Sequence, residues 1–96
     1  MLIWVIYDIT SDKSRNKIAK VCKEHGLFRV QYSVFLGDMP PDCMDEIAEF
    51  SRDLIDLETD GVFIIPVSED DFGKKKIIGK SFNEDLITGK KNTLML

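Results

Sequence analysis

The chain is poor in the residues that most often betray a redox centre or a soft-metal site. It has a single histidine, His25, and two cysteines, Cys22 and Cys43, which form no C-x-x-C pair. No zinc-ligand spacing, phosphate-binding glycine loop or dinucleotide fingerprint occurs. Cys22 falls on the apolar stripe of a predicted helix, so a buried thiol in a reducing cytoplasm is favoured over a metal ligand or a disulfide. No apolar run approaches the ~20 residues that cross a bilayer. The apolar start has no basic n-region and reaches Asp8 before any small-residue cleavage site. These absences predict a cytoplasmic protein with no membrane partner. Positive charge is also short, 13 Lys and Arg against 17 Asp and Glu for a net charge of −4. That balance argues against a general affinity for nucleic acid, which is chiefly phosphate neutralisation by Lys and Arg.

What is present is a single small domain's worth of core: 96 residues, 44% hydrophobic and 31% charged. A chain this short is only marginally self-sufficient, and association would help it. Charge is segregated along it. Lys13, Arg15, Lys17, Lys20 and Lys23 crowd one stretch, Lys74 to Lys76, Lys80, Lys90 and Lys91 mark the tail, and acids gather in residues 38–60 and 69–71.

The run Trp4-Val5-Ile6-Tyr7-Asp8-Ile9 predicts a strand over residues 2–9. Alternation puts Leu2, Trp4, Ile6 and Asp8 on one face and Ile3, Val5, Tyr7 and Ile9 on the other. Both faces are apolar, yet the chain offers only two amphipathic helices, enough for one of them, so a partner subunit is expected to cover the second. Thr10-Ser11-Asp12 offers helix caps, Ile18, Ala19, Val21 and Cys22 form a stripe, and Gly26 ends it. Residues 27–38 read as two short strands with a tight turn near Gln31 to Ser33. Pro40-Pro41-Asp42 opens a second helix that buries Met44, Ile47, Ala48, Phe50, Leu54 and Ile55 and ends near Glu58. Residues 61–67 form another strand, with Pro66 placing it at an edge, and 74–79 give a weaker strand signal. The order is βαββαβ with a short extra strand, the ferredoxin-like α+β plan of a two-layer sandwich over residues 1–80. Residues 81–96 have no clear period and are expected to be mobile or packed on a partner.

One carboxylate stands out. Asp8 sits where a strand gives way to a turn and a helix start, a place suited to anions and phosphates. A hard cation such as Mg²⁺ binds through one or two carboxylates plus waters, so a single Asp8 is a thin site, whereas two copies across a twofold axis make an adequate one. Asp8 as a simple turn cap is the competing reading. Arg15 and Lys17, two apart on a helix, do not share a face, though either reaches a phosphate near the helix start. Arg29 interrupts an apolar segment where an unpaired guanidinium is expensive, so it should have a partner. Tyr7 points away from Asp8 and reads as a core aromatic. Tyr32 and Ser33 are candidates to line the same sheet end, and His25 reads as a helix C-cap or a solvent-exposed residue rather than a general base, since no Ser or Cys nucleophile pattern accompanies it.

Together, Tyr7-Asp8-Ile9, the basic helix Arg15-Asn16-Lys17-Ile18-Ala19-Lys20 and the stretch Gly26 to Phe35 resemble the CRISPR-associated protein 2 family, and Lys76-Ile77-Ile78-Gly79 resembles its closing strand. The resemblance spans residues 1–80. It implies a ferredoxin-like homodimer whose last strand adds to the partner's sheet. It further implies an aspartate, here Asp8, that binds Mg²⁺ or Mn²⁺ at the dimer interface, with Tyr7, Arg15, Arg29, Ser33 and Phe35 matching positions of the active region. The implied activity is that of a metal-dependent endonuclease on single-stranded RNA or double-stranded DNA. Its setting would be CRISPR spacer acquisition, as the central dimer bound to the integrase subunit. Arg15, Lys17 and Arg29 would contact nucleic acid. Lys17 stands where many members carry Arg, and Leu36 where relatives are often acidic. The alternatives are a non-catalytic nucleic-acid-binding scaffold for the integrase and a toxin endoribonuclease resembling the VapD group.

Overall fold

Strand β1, Leu2–Asp8, is the spine of the molecule and pairs on both sides. The computed structural model describes residues 1–88. Helix α1 spans Asp12–Glu24, strands β2 and β3 span Phe28–Gln31 and Val34–Asp38, helix α2 spans Pro41–Leu54, and strand β4 spans Gly61–Val67. Two five-residue helices follow, α3 over Glu69–Gly73 and α4 over Glu84–Thr88. The sheet runs β2-β3-β1-β4 with every neighbouring pair antiparallel. The chain is therefore an α+β protein on a four-stranded antiparallel sheet.

Alternation along β1 divides the interior in two. Ile3, Val5 and Tyr7, with Ile9 beyond the strand, face the two long helices and join Ile18, Ala19, Cys22, Leu27, Phe35, Met39 and Ile47 in the larger cluster. Leu2 packs on the opposite face with Leu36, Phe72 and Ile87, and half-buried Trp4, Val30, Val67 and Phe82 lie against them. Pro66 is tolerated because, among the described residues, β4 pairs only with β1 and stands at the sheet edge.

The long helices stop and start where side chains dictate. The Ser11 hydroxyl accepts the Ser14 N–H at 3.2 Å to open α1. After the His25 cap, Gly26 takes φ 84°, which favours glycine. Gly37 has another task, since a Cβ there would stand 2.9 Å from the Leu27 side chain and 3.1 Å from its backbone. Helix α2 ends at Leu54, short of the expected Glu58. Asp56 accepts the Glu58 N–H at 2.9 Å and Asp60 accepts the Asp56 N–H at 3.1 Å, bonds that compete with helix continuation. Asp60 also accepts the Thr10 N–H and hydroxyl, each at 3.1 Å, and so ties the entry of β4 to the β1–α1 loop.

The backbone N–H of Thr10 leads the bonds that hold the Asp60 carboxyl below its ordinary value of 3.8. A depressed carboxyl contributes stability above its unfolded pKa and loses it as pH falls through the folded value. Acid unfolding followed by circular dichroism is expected to show Asp60→Asn less stable than the parent near neutrality, with the gap closing below about pH 4.

Three further expectations change. Phe50 is 36% exposed, and α2 buries Ser51 instead, its hydroxyl donating to the Ile47 carbonyl at 2.7 Å. The short strand expected at 74–79 is absent among the described residues: a strand needs a neighbouring edge, and this segment joins no ladder with them. Of the tail 81–96, expected to be mobile or to pack on a partner, the described part, residues 81–88, docks on the chain's own sheet through Phe82 and Ile87, and the remainder lies outside the described residues. A five-residue helix has little stability of its own, and burial of Ile87, worth roughly 1.5–3 kcal/mol, is what holds α4 in place. The pair Lys90 and Lys91 lies outside the described residues.

Candidate active site

The C-terminal end of β1 sends consecutive residues to opposite faces. Asp8 emerges exposed on the face shared with Trp4 and Ile6, and its side chain has no hydrogen bond or ion pair among the described residues. Opposite it in the ladder stands Gly61, which has no side chain to screen it. Helices α3 and α4 cover only the other end of this face, around Leu2 and Leu36. The remainder is open and apolar. Phe63, paired with Ile6, is 59% exposed, and Ile65, paired with Trp4, is 46% exposed. The expectation of an uncovered second face is therefore met at the Asp8 end and not at the other.

Tyr7 points the other way. It is buried, stacked on Phe35 with ring centroids 6.3 Å apart, and the Arg29 guanidinium lies 5.1 Å above the Phe35 ring. Burial raises the Tyr7 hydroxyl above its ordinary value, while its hydrogen bond and charge interaction with Arg29 pull it down. The phenol is thus protonated at neutral pH and acts as a hydrogen-bonding group rather than a base. Arg29 is exposed on edge strand β2, so its position in an apolar stretch of sequence does not bury its charge. Its partners are the Phe35 ring and Tyr7, and the pairing Arg29↔Phe35 across the hairpin brings them together.

Arg15 is committed to its own loop. It donates to the Ile9 carbonyl at 2.7 Å and the Thr10 carbonyl at 3.1 Å and is ion-paired with Asp12. This clamp fixes the turn that follows Asp8. Arg15→Lys is expected to lower stability by about 1–2 kcal/mol in urea unfolding, because one ammonium cannot reproduce the fork.

Ser33 occupies the β2–β3 turn, where its carbonyl accepts the Tyr7 N–H at 3.1 Å. Tyr7, Arg15, Arg29 and Tyr32, with Asp12 and Asn16, border a cavity of about 430 Å³ on the helix side. A neighbouring groove carries Lys20 and Lys23 beside Arg29. Lys17 is exposed and lines neither, and Asp8 lies on the opposite face of the sheet. The structure thus gathers Tyr7, Arg15, Arg29 and Phe35 and leaves Asp8 and Lys17 outside the group. Lys20 and Lys23 were legible only as part of a basic run, since their meeting with Arg29 depends on how α1 lies across the sheet.

The donor chemistry at Asp8 fits a hard cation. An exposed carboxylate without an internal partner suits Mg²⁺ or Mn²⁺. One chain supplies one such ligand, so the residues fit an ion held between two copies.

Comparison with known proteins places this geometry in context. Residues 1–75 match the family model described as CRISPR associated protein Cas2. The CRISPR-associated endoribonuclease Cas2 of Desulforudis audaxviator is 40% identical over 74 residues, 77% of this chain and 70% of that protein. A CRISPR-associated endonuclease Cas1/endonuclease Cas2 fusion of Thermoproteus tenax is 41% identical over 49 residues, 51% of this chain and 19% of the fusion. The crystal structure of Streptococcus pyogenes Cas2 superposes with a TM-score of 0.69 at 26% identity, covering 82% of this chain and all of that one.

Proposed function

The chain belongs to the CRISPR-associated Cas2 family, and from that premise we propose that it is a homodimeric, Mg²⁺- or Mn²⁺-dependent endonuclease on single-stranded RNA or double-stranded DNA. Its place would be spacer acquisition, as the central dimer of the adaptation complex. We read its fold as the ferredoxin-like two-layer sandwich. The observation that carries the proposal is the exposed Asp8 carboxylate, unpartnered among the described residues, beside the apolar strip of Ile6, Phe63 and Ile65 that those residues leave uncovered. A second copy seated on that strip would remove apolar surface from water and bring two Asp8 carboxylates together.

Asp8 and its counterpart in the second copy would hold the cation. When bound, such an ion lowers the pKa of a coordinated water and neutralises charge on the phosphate. The chain's own residues supply the frame. Arg15 holds the turn after Asp8. Tyr7 and Phe35, buried and stacked, fix the strand end, and the Ser33 carbonyl anchors the Tyr7 amide. Arg29 with Lys20 and Lys23 offers cations to the sugar-phosphate backbone along the groove, and Lys17 adds charge nearby on α1.

The test is cleavage by the purified chain with Mg²⁺ or Mn²⁺, with and without a chelator, alongside sedimentation. Cleavage that stops on chelation and a mass of two chains are expected. Cleavage indifferent to chelation, or a stable monomer, would overturn the reading.

A second reading is a non-catalytic scaffold for the integrase subunit. It is favoured by the single carboxylate that each chain brings and by the relative named as a Cas1/Cas2 fusion. Retention of an integrase subunit with no metal-dependent cleavage distinguishes it.

A further inference from the structure

The chain's only histidine meets a cysteine and a glutamate at the far end of the helical layer. We propose that His25, Cys43 and Glu46 form a binding site for a borderline transition-metal cation of the Zn²⁺ class, separate from Asp8. Their ligand atoms, imidazole nitrogen, thiol sulfur and carboxylate oxygen, all lie within 4.8 Å of one another. His25 Nε2 stands 3.4 Å from Glu46 Oε2. That separation is long for a hydrogen bond. It equals the edge of a zinc tetrahedron, since two ligands each about 2.0–2.1 Å from the ion lie about 3.4 Å apart. Closing the thiol onto the same ion takes about an ångström of side-chain rotation at most.

The backbone beneath these groups is already fixed. The His25 N–H is held by the Val21 and Cys22 carbonyls at the end of α1. Cys43 and Glu46, three residues apart on α2, share a face in its opening turns. That opening is stiffened by Pro40-Pro41 and by the Cys43 N–H on the Pro40 carbonyl at 3.0 Å. His25 and Cys43 are half-buried and Glu46 is exposed, which leaves a side for entry and for a water as fourth ligand.

The donor set selects the ion. One nitrogen, one thiolate and one carboxylate suit Zn²⁺ or Co²⁺ and do not suit Mg²⁺, which takes hard oxygen donors. Thiolate and carboxylate together balance a dication, and the thiol proton leaves to solvent on binding. Helix α1 separates the two sites. Its 13 residues span about 20 Å at 1.5 Å per residue, with the turn after Asp8 at one end and His25 at the other. A metal here would rivet α1 to α2 and is independent of whether the chain cleaves nucleic acid.

Titration of the full chain, freed of metal by a chelator, with Co²⁺ tests the site. A thiolate-to-cobalt charge-transfer band saturating at one equivalent per chain is expected, displaced by Zn²⁺. His25→Gln and Cys43→Ala are expected to weaken Zn²⁺ binding about 100-fold or more, and the exposed Glu46→Gln gives the same direction without touching packing. Asp8→Asn leaves the band intact. Absence of the band, its survival in the His25 and Cys43 variants, or its loss in Asp8→Asn overturns the proposal.

Discussion

Asp8→Asn is expected to abolish metal-dependent cleavage while leaving the fold and its melting temperature unchanged. The substitution is isosteric and exposed, and the side chain makes no internal hydrogen bond or ion pair among the described residues. A surface change of this kind stays within about 0.5 kcal/mol of the parent. The chemical consequence is far larger. An amide oxygen is a weak ligand for a hard cation, and in the proposed dimer both charges would be lost at once. The several kcal/mol that such an ion contributes to phosphate cleavage correspond to about 10²–10⁴ in rate. The check is a cleavage time course in Mg²⁺ beside a thermal melt of the same preparation. Undiminished cleavage would remove Asp8 from the chemistry. Loss of cleavage together with a fallen melting temperature would assign it a structural role.

Phe35→Ala shows the opposite profile. Phe35 is fully buried, stacks on Tyr7 and carries the Arg29 guanidinium over its outer face. Truncation of a buried phenylalanine costs about 3–5 kcal/mol. A domain's entire stability is about 5–15 kcal/mol, so the variant should be partly unfolded at physiological temperature. In a domain of this size each kcal/mol moves the midpoint by roughly 4–8 °C, and a drop of at least 12 °C is expected. Phe35→Leu keeps most of the buried volume and loses chiefly the stacking, about 0.5–1.5 kcal/mol. Denaturant unfolding of the two variants separates filling from ring geometry. An alanine variant within 1 kcal/mol of the parent would mean that the cluster collapses around the gap.

Much of this architecture was legible in the residues. Alternation from Leu2 to Asp8 fixed which side chains share a face, and Ser11 and Gly26 marked the ends of α1 by the bonds and dihedral they supply. Pro40-Pro41 marked the start of α2. Helices α3 and α4 escaped detection because five residues hold barely one turn of periodicity. Each is kept by a single deeply buried side chain, Phe72 or Ile87, whose burial depends on the sheet beneath it. Phe50 satisfied the helical period and still faces out, since the packed stripe of α2 centres on Ile47 and Ser51. Asp8 could be singled out from a strand end and a turn. The stack of Tyr7, Phe35 and Arg29 needed the hairpin register, and the meeting of His25 with Cys43 and Glu46 needed two helices to lie side by side.

The chain's one tryptophan has a practical consequence. Trp4 forms a three-ring cluster with Phe72 and Phe82, their centroids 6.2 and 6.5 Å from its own and 6.5 Å from each other, on the side of the sheet that the long helices do not touch. Its fluorescence therefore watches only the aromatic layer laid down by residues 69–88. Far-ultraviolet dichroism, dominated by α1 and α2, watches the other. A single cuvette can thus tell whether the carboxyl-terminal segment lets go before the rest of the molecule or together with it, with no label attached.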